Sequence, residues 1–494
     1  MDIIIDTLGA VFALKPLLSL VLGVVLGIFI GALPGISATM GIALALPFTY
    51  GLEPMSALGL LAGIHNGASQ GGAIPSILLR IPGTPGSVVT TWDGYPLARR
   101  GDAGAAIQLA AVSSAVGGMI GATTLGVVGP SLAAVTLSFG PPEMFAIAIF
   151  GLICVSVLMG PDLLKGLLAA LFGLLLATVG FDDVTGYERF SFGVPQLAPG
   201  LSELAVMIGL FSLPPAWEIA RNLNVSAKLE SVNIVVRKGV WTVKQVWRSW
   251  LRASAIGVGL GVLPGSSVGA FLAYAAEKAA SKEPETFGKG SVQGLAAAES
   301  VNNADNAAAM IPALTLGIPG SAIAAMMLGA LVIQGLQPGP QLFRTDPTVV
   351  YGYTLQMFIG SALLIVLGGA MASRFYAQVL RLPQTMIMFM VIAMTAIGAY
   401  ASANEMFPVF VAFGFGLVGI TLRWLGFPIV PIIIGLVLGK QIEFNYQVSL
   451  MMGDGSGMIL LQRPVSAGIL LAAAGLLLIL GARRINRIRR ASAA

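Results

Sequence analysis

The sequence is poor in cysteine, histidine and charge. Among 494 residues there is one cysteine, Cys154, and one histidine, His65. A single cysteine excludes an internal disulfide and a cysteine-based metal cluster, and a single histidine excludes a histidine-rich metal site. The sequence contains no Walker A motif, so ATP coupling within this chain is not expected. We therefore expect no bound cofactor and no resident metal.

Charge is the scarcest feature. Only 10% of the residues are charged and 56% are hydrophobic, whereas a soluble domain carries about 25% charged residues. Three uncharged runs, 16–52, 103–142 and 306–343, are longer than the ~20 residues of one membrane crossing. The composition predicts an all-α, polytopic integral membrane protein with roughly 10–13 membrane segments, including broken or re-entrant helices.

The net charge of +5 comes from a few basic segments rather than from a nucleic-acid-binding surface. Residues 221–252 are rich in Lys and Arg, and the tail RRINRIRR (483–490) holds five arginines. Lys and Arg concentrate in the cytoplasmic loops of membrane proteins. We therefore predict a basic cytoplasmic connector at 221–252, a basic cytoplasmic tail at 483–494, and no nucleic-acid partner.

Two stretches of the sequence recur in the same order. GIFIGALPGIS (27–37) matches GVGLGVLPGSS (257–267), and IPSILLRIPGT (74–84) matches IPALTLGIPGS (311–321). A weaker echo pairs GYPLAR with GPQLFR further along each half. Because low complexity does not reproduce this order, we infer a duplication. Its glycines recur every fourth residue, a spacing that lets helix backbones approach closely.

The duplication divides the chain. We predict a first membrane repeat at 16–200, a second at 253–400, and C-terminal membrane helices at 401–482. Matched loops differ in charge: Arg99 and Arg100 in one copy, Arg344 with Asp346 in the other. This asymmetry predicts inverted repeats, so labels at positions 98 and 343 should react from opposite sides.

Each half contains two Pro-Gly breaks inside apolar sequence. They are Pro34-Gly35, Pro82-Gly83, Pro264-Gly265 and Pro319-Gly320. Proline ends a helix because it lacks a donor and clashes with the preceding turn. The bare backbone groups of such an end survive at membrane depth only inside protein or beside a watery cavity. Paired breaks in two halves therefore indicate a transporter binding site.

A polar stripe precedes the last break. On a helix, Glu299, Asn302, Asn303 and Asn306 share one face, while Asp305 is expected to point elsewhere. The matched positions of the first half are Ala62, His65, Asn66 and Ser69. Carboxamides can bind an anion's oxygens or a cation such as Na⁺. The competing interpretation is that these residues only form stabilising hydrogen bonds between helices.

These features give a set of candidate residues. The predicted substrate- or ion-binding residues are Ser37, Thr39, Asn66, Ser69, Gln70, Thr84, Ser266, Ser267, Glu299, Asn302, Asn303, Asn306 and Ser321. Transient Na⁺ binding is placed at Asn66 and Asn303, and both are expected to contribute to transport rather than to folding.

Two other functions fit parts of the pattern. Residues 67–71 match G-x-S-x-G, and His65 lies one helical turn before Ser69, as an intramembrane Ser–His hydrolase would need. The nucleophile elbow requires a strand-to-helix turn, however, and this context is helical. An anion channel could line a pore with the same polar faces. Duplicated broken helices favour a carrier over both, so we predict no enzymatic activity.

The motifs resemble a known family. GALPGISA, NGASQGGAIPSILLRIPGTPGS and TWDGYPLARRGDAG in the first half, with GVLPGSS, FGKGSVQGLAAAESVNNADNAAAMIPALTLGIPGS and GLQPGPQLF in the second, resemble the large membrane subunit of tripartite tricarboxylate transporters, the TctA family. In one departure, 65–72 reads HNGASQGG, where the family tends to place tyrosines.

The resemblance has several implications. It implies a secondary active transporter of the bacterial inner membrane that imports a carboxylate, of tricarboxylate or dicarboxylate type, by symport with Na⁺ or H⁺. It also implies two partners, a small TctB-like membrane subunit and a periplasmic TctC-like solute-binding protein.

Overall fold

The fold is almost entirely helical. The computed structural model describes residues 2–33, 36–84, 86–158, 162–221, 240–263, 268–369, 375–376, 378 and 382–492. Within these residues the only strands are β1 (Gly180–Phe181) and β2 (Glu188–Arg189), which form one short antiparallel pair. The predicted all-α class is confirmed.

Up to Arg221, the residues that the structure describes form ten α-helices. They are α1 (Asp2–Phe12), α2 (Leu14–Ala32), α3 (Ala38–Ala45), α4 (Pro54–Gly71), α5 (Ala73–Leu79), α6 (Thr90–Leu97), α7 (Ala103–Thr136), α8 (Pro141–Leu158), α9 (Leu163–Ala177) and α10 (Glu203–Arg221). Short 3₁₀ turns occupy Leu46–Thr49, Gly86–Val88 and Pro195–Leu197, and a π turn occupies Ala98–Asp102.

The helices from Val243 onward continue the numbering. They are α11 (Val243–Gly261), α12 (Gly269–Ala280), α13 (Val292–Ala308), α14 (Met310–Leu316), α15 (Ala322–Ile333), α16 (Leu342–Thr345), α17 (Pro347–Leu367), α18 (Gln384–Ala401), α19 (Phe407–Trp424), α20 (Val430–Met452), α21 (Ile459–Gln462) and α22 (Pro464–Ser492). A 3₁₀ turn occupies Pro284–Thr286.

Many of these helices suit a bilayer. By length and composition, seven helical segments of the described chain could cross a membrane: Leu14–Ala32, Gly86–Thr136, Glu203–Arg221, Pro347–Leu367, Gln384–Ala401, Phe407–Trp424 and Pro464–Ala482. Shorter apolar helices occupy Ala38–Thr49, Pro141–Val157, Leu163–Ala177 and Ala322–Ile333. The polytopic character is thus confirmed, while the total of roughly 10–13 segments stays a prediction.

The two halves present the same order of elements. A long helix, a short helix, a central helix, a seven-residue helix and another helix follow one another as α2–α6 and again as α11–α15. The π turn and α7 then correspond to α16 and α17. This order agrees with the sequence echoes and supports the inferred duplication.

The second break of each half has the same geometry. Helix α5 is followed by Arg80, with φ 61°, and α14 is followed by Gly317, with φ 71°, so both residues are left-handed. The amide of Ile81 donates to the carbonyl of Pro75 at 3.3 Å, as the matched residues of α14 also do. Such a cap satisfies carbonyls that the end of the helix leaves bare.

The repeated glycines bring helix backbones into contact. A Cβ atom at Gly27 of α2 would lie 2.5 Å from the carbonyl oxygen of Ile64 in α4. A Cβ atom at Gly257 of α11 would lie 2.6 Å from the carbonyl oxygen of Val301 in α13. Only glycine permits these approaches, so the predicted glycine faces pack α2 on α4 and α11 on α13.

Each half also contributes a long helix to the other half. Helix α7 packs along α13, and α17 packs along α4. The contact of α7 is close: a Cβ atom at Gly117 would meet the carbonyl oxygen of Ser300, and one at Gly121 would meet that of Ala304. The two central helices, α4 and α13, are therefore each held between their own half and the opposite one.

Candidate functional site

A polar cavity of about 310 Å³ lies between the central helices and the breaks of both halves. Its lining residues are Ser37, Ala38, Thr39, His65, Ser69, Thr84, Gly86, Gly261, Leu263, Gly269, Ala270, Val301, Asn302, Asp305, Asn306, Ala309, Gly320, Ser321, Ala322, Ile323 and Val430. The cavity thus collects seven of the sequence-predicted residues from distant parts of the chain: Ser37, Thr39, Ser69, Thr84, Asn302, Asn306 and Ser321.

The central helices contribute matched pairs of polar residues. His65 and Ser69 of α4 line the cavity, and so do the equivalent Asn302 and Asn306 of α13. The amide Nδ2 of Asn306 donates to the hydroxyl of Ser69 at 2.6 Å. One carboxamide therefore joins the polar faces of the two halves.

Several helices begin at the cavity wall. The hydroxyl of Ser37 caps α3 by accepting from the amide of Met40 at 3.2 Å, and that of Ser321 caps α15 by accepting from Ala324 at 3.1 Å. Helix α12 begins at Gly269, another lining residue. Helix N-termini carry partial positive charge and bare N–H groups, which favour anions.

The turn after the break at Pro82-Gly83 also contributes backbone amides and a hydroxyl to the cavity wall. The hydroxyl of Thr84 accepts from the amide of Ser87 at 3.3 Å, as Ser321 does in the second half. Gly86 of the same turn lies against Asn302, since a Cβ atom there would be 2.3 Å from its Oδ1. Thr39 adds a further hydroxyl from the first turn of α3. Hydroxyls and backbone groups therefore face the carboxamides across the cavity.

Asp305 is the residue that the sequence pattern placed wrongly. It was expected to point away from the stripe, yet it lines the cavity beside Gly261. Val301, Asn302, Asp305 and Asn306 of α13 line the cavity, and so does Ala309, the residue that follows the helix. Positions 302, 305, 306 and 309 also form an i, i+3, i+4, i+7 series. The signal was present, but a second series through Glu299 shares two of its members. Among the described residues that line the cavity, Asp305 supplies the only carboxylate.

Asn66 and Gln70 of α4 face away from the cavity. Both are fully buried. Asn66 donates to the carbonyl of Met357 at 3.1 Å, and Gln70 donates to that of Gly368 at 3.2 Å. These bonds tie α4 to α17 and to the residue that follows it. The structure therefore places both predicted binding residues at a helix interface.

Asn303 and Glu299 of α13 also lie outside the cavity lining. Asn303 is fully buried near Gly118 of α7, and its two polar side-chain atoms have no hydrogen-bond partner among the described residues. Glu299 is buried and accepts from the hydroxyl of Thr90 and, at 2.9 Å, from that of Ser114. Its carboxylate thus connects α13 to α6 and α7.

Some of the predicted residues cannot be placed. Ser266 and Ser267 lie outside the described residues, together with the breaks at Pro34-Gly35 and Pro264-Gly265. The matched Ser37 of the first half does line the cavity.

Asp93 connects the two halves through buried hydrogen bonds that the sequence alone did not indicate. Although the stretch DGYPLARRGD is rich in charged residues, Asp93 lies in α6 and is fully buried. Its Oδ1 accepts from the amides of Gly288, Gly290 and Ser291 at 2.8, 2.9 and 2.8 Å, and its Oδ2 accepts from the hydroxyl of Tyr274 at 2.8 Å. This carboxylate fixes the start of α13 to the first half.

The arrangement does not resemble a nucleophile elbow. Ser69 lies inside helix α4, not on a strand-to-helix turn. Its hydroxyl accepts the hydrogen bond of Asn306.

Comparisons with known proteins agree with the fold. Residues 17–434 match the profile of the tripartite tricarboxylate transporter TctA family. An uncharacterized 52.8 kDa protein in the TAR-I ttuC′ 3′ region of Agrobacterium vitis is 36% identical over 479 residues, which is 95% of this chain and 94% of the relative. An uncharacterized protein in the TAR-II ttuC′ 3′ region of the same organism is 33% identical over 213 residues, 43% of this chain and 88% of the relative. No solved structure shows a significant match.

Proposed function

The chain belongs to the tripartite tricarboxylate transporter TctA family, and we propose that it is the large membrane subunit of a tripartite importer. In this proposal it moves a carboxylate, of tricarboxylate or dicarboxylate type, inward by symport with Na⁺ or H⁺. It acts as a secondary active transporter and not as an enzyme.

The observation that carries this proposal is the composition of the cavity. The starts of α3, α12 and α15 converge on it, which suits the carboxylate groups of a substrate. Asp305 on the opposite helix α13 supplies one negative charge, which suits a cation. A symporter must hold an anion and a cation together, and this cavity offers groups for both.

The lining residues then have separate roles. The hydroxyls of Ser37, Thr84 and Ser321 and the nearby backbone amides replace water around the substrate carboxylates. Asn302 and Asn306 offer donors and acceptors, so they can contact substrate and cation alike. The carboxylate of Asp305 either holds Na⁺ directly or takes up the proton.

The predicted residues that lie outside the cavity lining hold the central helices in position. Asn66 and Gln70 hold α4 against α17, while Glu299 holds α13 against α6 and α7. Asn303, which lies beside α7, is assigned the same role. Substrate-driven movement of a central helix must pass through these contacts, so we propose that they affect the rate of transport more than affinity for substrate.

The proposal includes the other components of the system. A small TctB-like membrane subunit would accompany this chain in the bacterial inner membrane, and a TctC-like periplasmic solute-binding protein would deliver the substrate. Ser266 and Ser267 are proposed to match the role of Ser37 by their place in the repeat.

Uptake into proteoliposomes tests the proposal. The chain, with its small subunit and binding protein, should accumulate a labelled di- or tricarboxylate only when a Na⁺ or H⁺ gradient is imposed. Dissipating the gradient with an ionophore should stop accumulation. Currents far above carrier turnover, or flux without gradient coupling, would identify an anion channel instead. Hydrolysis of an ester or peptide that requires Ser69 would identify an enzyme.

A further inference from the structure

We propose that a groove on the basic side of the molecule binds the headgroup of an anionic phospholipid. The groove has a volume of about 580 Å³ and lies between the first turns of α11, the end of α12 and the start of α13. It shares no residue with the cavity described above, so the inference is independent of the transport proposal.

The groove is lined by cations on one helix face. Lys244, Arg248 and Arg252 follow one another at four-residue spacing along α11, and Lys282 approaches from the end of α12. In the described part of the chain, Lys244, Arg248 and Lys282 form no ion pair with a carboxylate. Three positive charges are therefore available to a ligand.

The acidic residues of the groove do not cancel this charge. Glu277 is buried and accepts from Arg252 at 3.3 Å and from the hydroxyl of Ser249 at 2.7 Å, so its charge is matched within the protein. Glu283 is exposed at the rim. With four cations and two carboxylates among the lining residues, the groove has a formal charge of +2.

An apolar stripe next to the cations selects a lipid over a free anion. Val243, Trp247 and Leu251 lie one position before the three basic residues of α11, at the same spacing. Their exposed fractions are 58%, 44% and 53%. The guanidinium of Arg248 lies 5.3 Å from the ring centroid of Trp247. A ligand that fits both stripes has a negative head and a hydrocarbon chain.

The position of the groove agrees with this ligand. The first turns of α11, from Val243, belong to the basic connector at 221–252, which the positive-inside rule assigns to the cytoplasm. Basic pockets between helices on that side bind anionic headgroups, and Trp residues favour the level of the headgroups. Long Lys and Arg side chains at a helix end can reach the phosphate while their stems stay in apolar surroundings.

Thermal unfolding of the purified full chain in a neutral detergent tests the proposal. The melting temperature is measured with added phosphatidylglycerol, with phosphatidylcholine and with inorganic phosphate, and lipid affinity is measured by native mass spectrometry. We expect stabilisation by phosphatidylglycerol alone. An equal rise in melting temperature with phosphatidylcholine would show that an anionic headgroup is not required. Stabilisation by inorganic phosphate would show that a lipid chain is not required. Either result would overturn the proposal.

Matched double variants locate the site. Lys244→Gln with Arg248→Gln should weaken phosphatidylglycerol binding about thirtyfold, since each cation near an anionic surface contributes a factor of roughly five. Lys278→Gln with Arg344→Gln removes two exposed charges outside the groove and should leave affinity unchanged. Equal losses of affinity in both double variants would mean that net charge, and not the groove, determines binding, and would contradict the proposal.

Two further variants keep the proposal testable if the double glutamine variant is poorly folded. Arg248→Lys keeps the charge and should retain most of the affinity even if the double glutamine variant is poorly folded. Leu251→Ser interrupts the apolar stripe without changing charge, and should weaken the binding of phosphatidylglycerol. If Leu251→Ser has no effect, the groove is an anion site without a lipid chain.

Discussion

Asn306 and Ser69 lie 237 residues apart in the chain, and the amide of one donates to the hydroxyl of the other at 2.6 Å on the wall of the central cavity. They occupy equivalent positions of the two halves. Both polar groups therefore face the same cavity. A ligand that enters between α4 and α13 must either leave this hydrogen bond intact or replace it with hydrogen bonds of its own.

Ser69→Ala should reduce uptake without abolishing it. A single neutral hydrogen bond contributes about 0.5–1.5 kcal/mol, so the expected loss of apparent affinity is about two- to tenfold. Ser254→Ala removes a buried hydroxyl outside the cavity lining and should leave uptake unchanged. Complete inactivation of Ser69→Ala, with normal amounts in the membrane, would instead favour the hydrolase.

Asp305→Asn should remove the dependence of uptake on the coupling cation. Asparagine keeps the size of the side chain but loses the charge that balances Na⁺ or accepts the proton. We expect the cation concentration for half-maximal uptake to rise at least about tenfold, the loss of roughly 1.4 kcal/mol. Asp454→Asn, in an exposed loop, is the control. An unchanged cation titration for Asp305→Asn would remove this residue from the site.

Asn66→Ala and Asn303→Ala should both slow transport but differ in stability. The first loses the hydrogen bond to the carbonyl of Met357, worth about 0.6 kcal/mol in membranes. The second loses no bond among the described residues and relieves the cost of a buried carboxamide, so its stability should stay equal or rise.

Uptake kinetics and thermal unfolding separate these outcomes. A lower maximal rate with little change in apparent affinity is the expected result for both asparagine variants, which should reach the membrane at near-normal levels. Wild-type kinetics in both would mean that these residues serve only packing.

Gly317→Ala should destabilise the protein while Arg80→Gly should change little. Gly317 is left-handed at φ 71°, and a Cβ atom there would have ordinary contacts at 3.5 Å, so its loss is a backbone effect of about 1 kcal/mol. At Arg80, glycine relieves a similar backbone strain, but this gain in stability is offset by the loss of the contact between the guanidinium and the Tyr95 ring at 5.9 Å.

Gly259→Ala provides the control for this pair. Gly259 lies within α11 and has no atom within 4 Å of its Cβ position, so alanine should be neutral or slightly stabilising. Thermal unfolding in detergent gives the three values. If Gly317→Ala unfolds at the same temperature as Gly259→Ala, the result would contradict a strained left-handed residue at Gly317 and thus the equivalence of the two breaks.

Cysteine labelling tests the inversion of the repeats. In a Cys154→Ala background, a cysteine at Arg100 and another at Thr345 occupy exposed and equivalent positions. Inverted repeats predict that an impermeant maleimide reaches them from opposite sides of the membrane, whereas parallel repeats give labelling from the same side. A cysteine at Ser492, in the basic tail, marks the expected cytoplasmic side.

The general fold was accessible from the sequence because its signals are local. Proline and glycine mark the breaks, and the four-residue glycine spacing marks the helix seams, so the order of elements and their duplication follow from short stretches. Left-handed Gly317 could be expected after a helix. Arg80 in the same conformation could be inferred only through its place in the repeat.

The rotation of the central helices was not accessible in the same way. Two series on α13 fit one face equally well: one contains Glu299 and Asn303, and the other contains Asp305. Which of them faces the cavity depends on how α7 and α11 pack against α13, and that contact joins segments far apart in the chain. The burial of Asp93 was missed for the same reason, because its partners lie about 195 residues later.

The exchange of long helices has a consequence for biosynthesis. As the chain leaves the ribosome, α7 is complete while the backbone that its Gly117 face must meet, at Ser300, has not yet been made. Throughout that interval this face is available to lipid, to the insertion machinery or to chaperones. Maturation of the first half therefore waits for translation of α13, and a truncated product that ends at the connector keeps an unfinished surface that quality control can recognise.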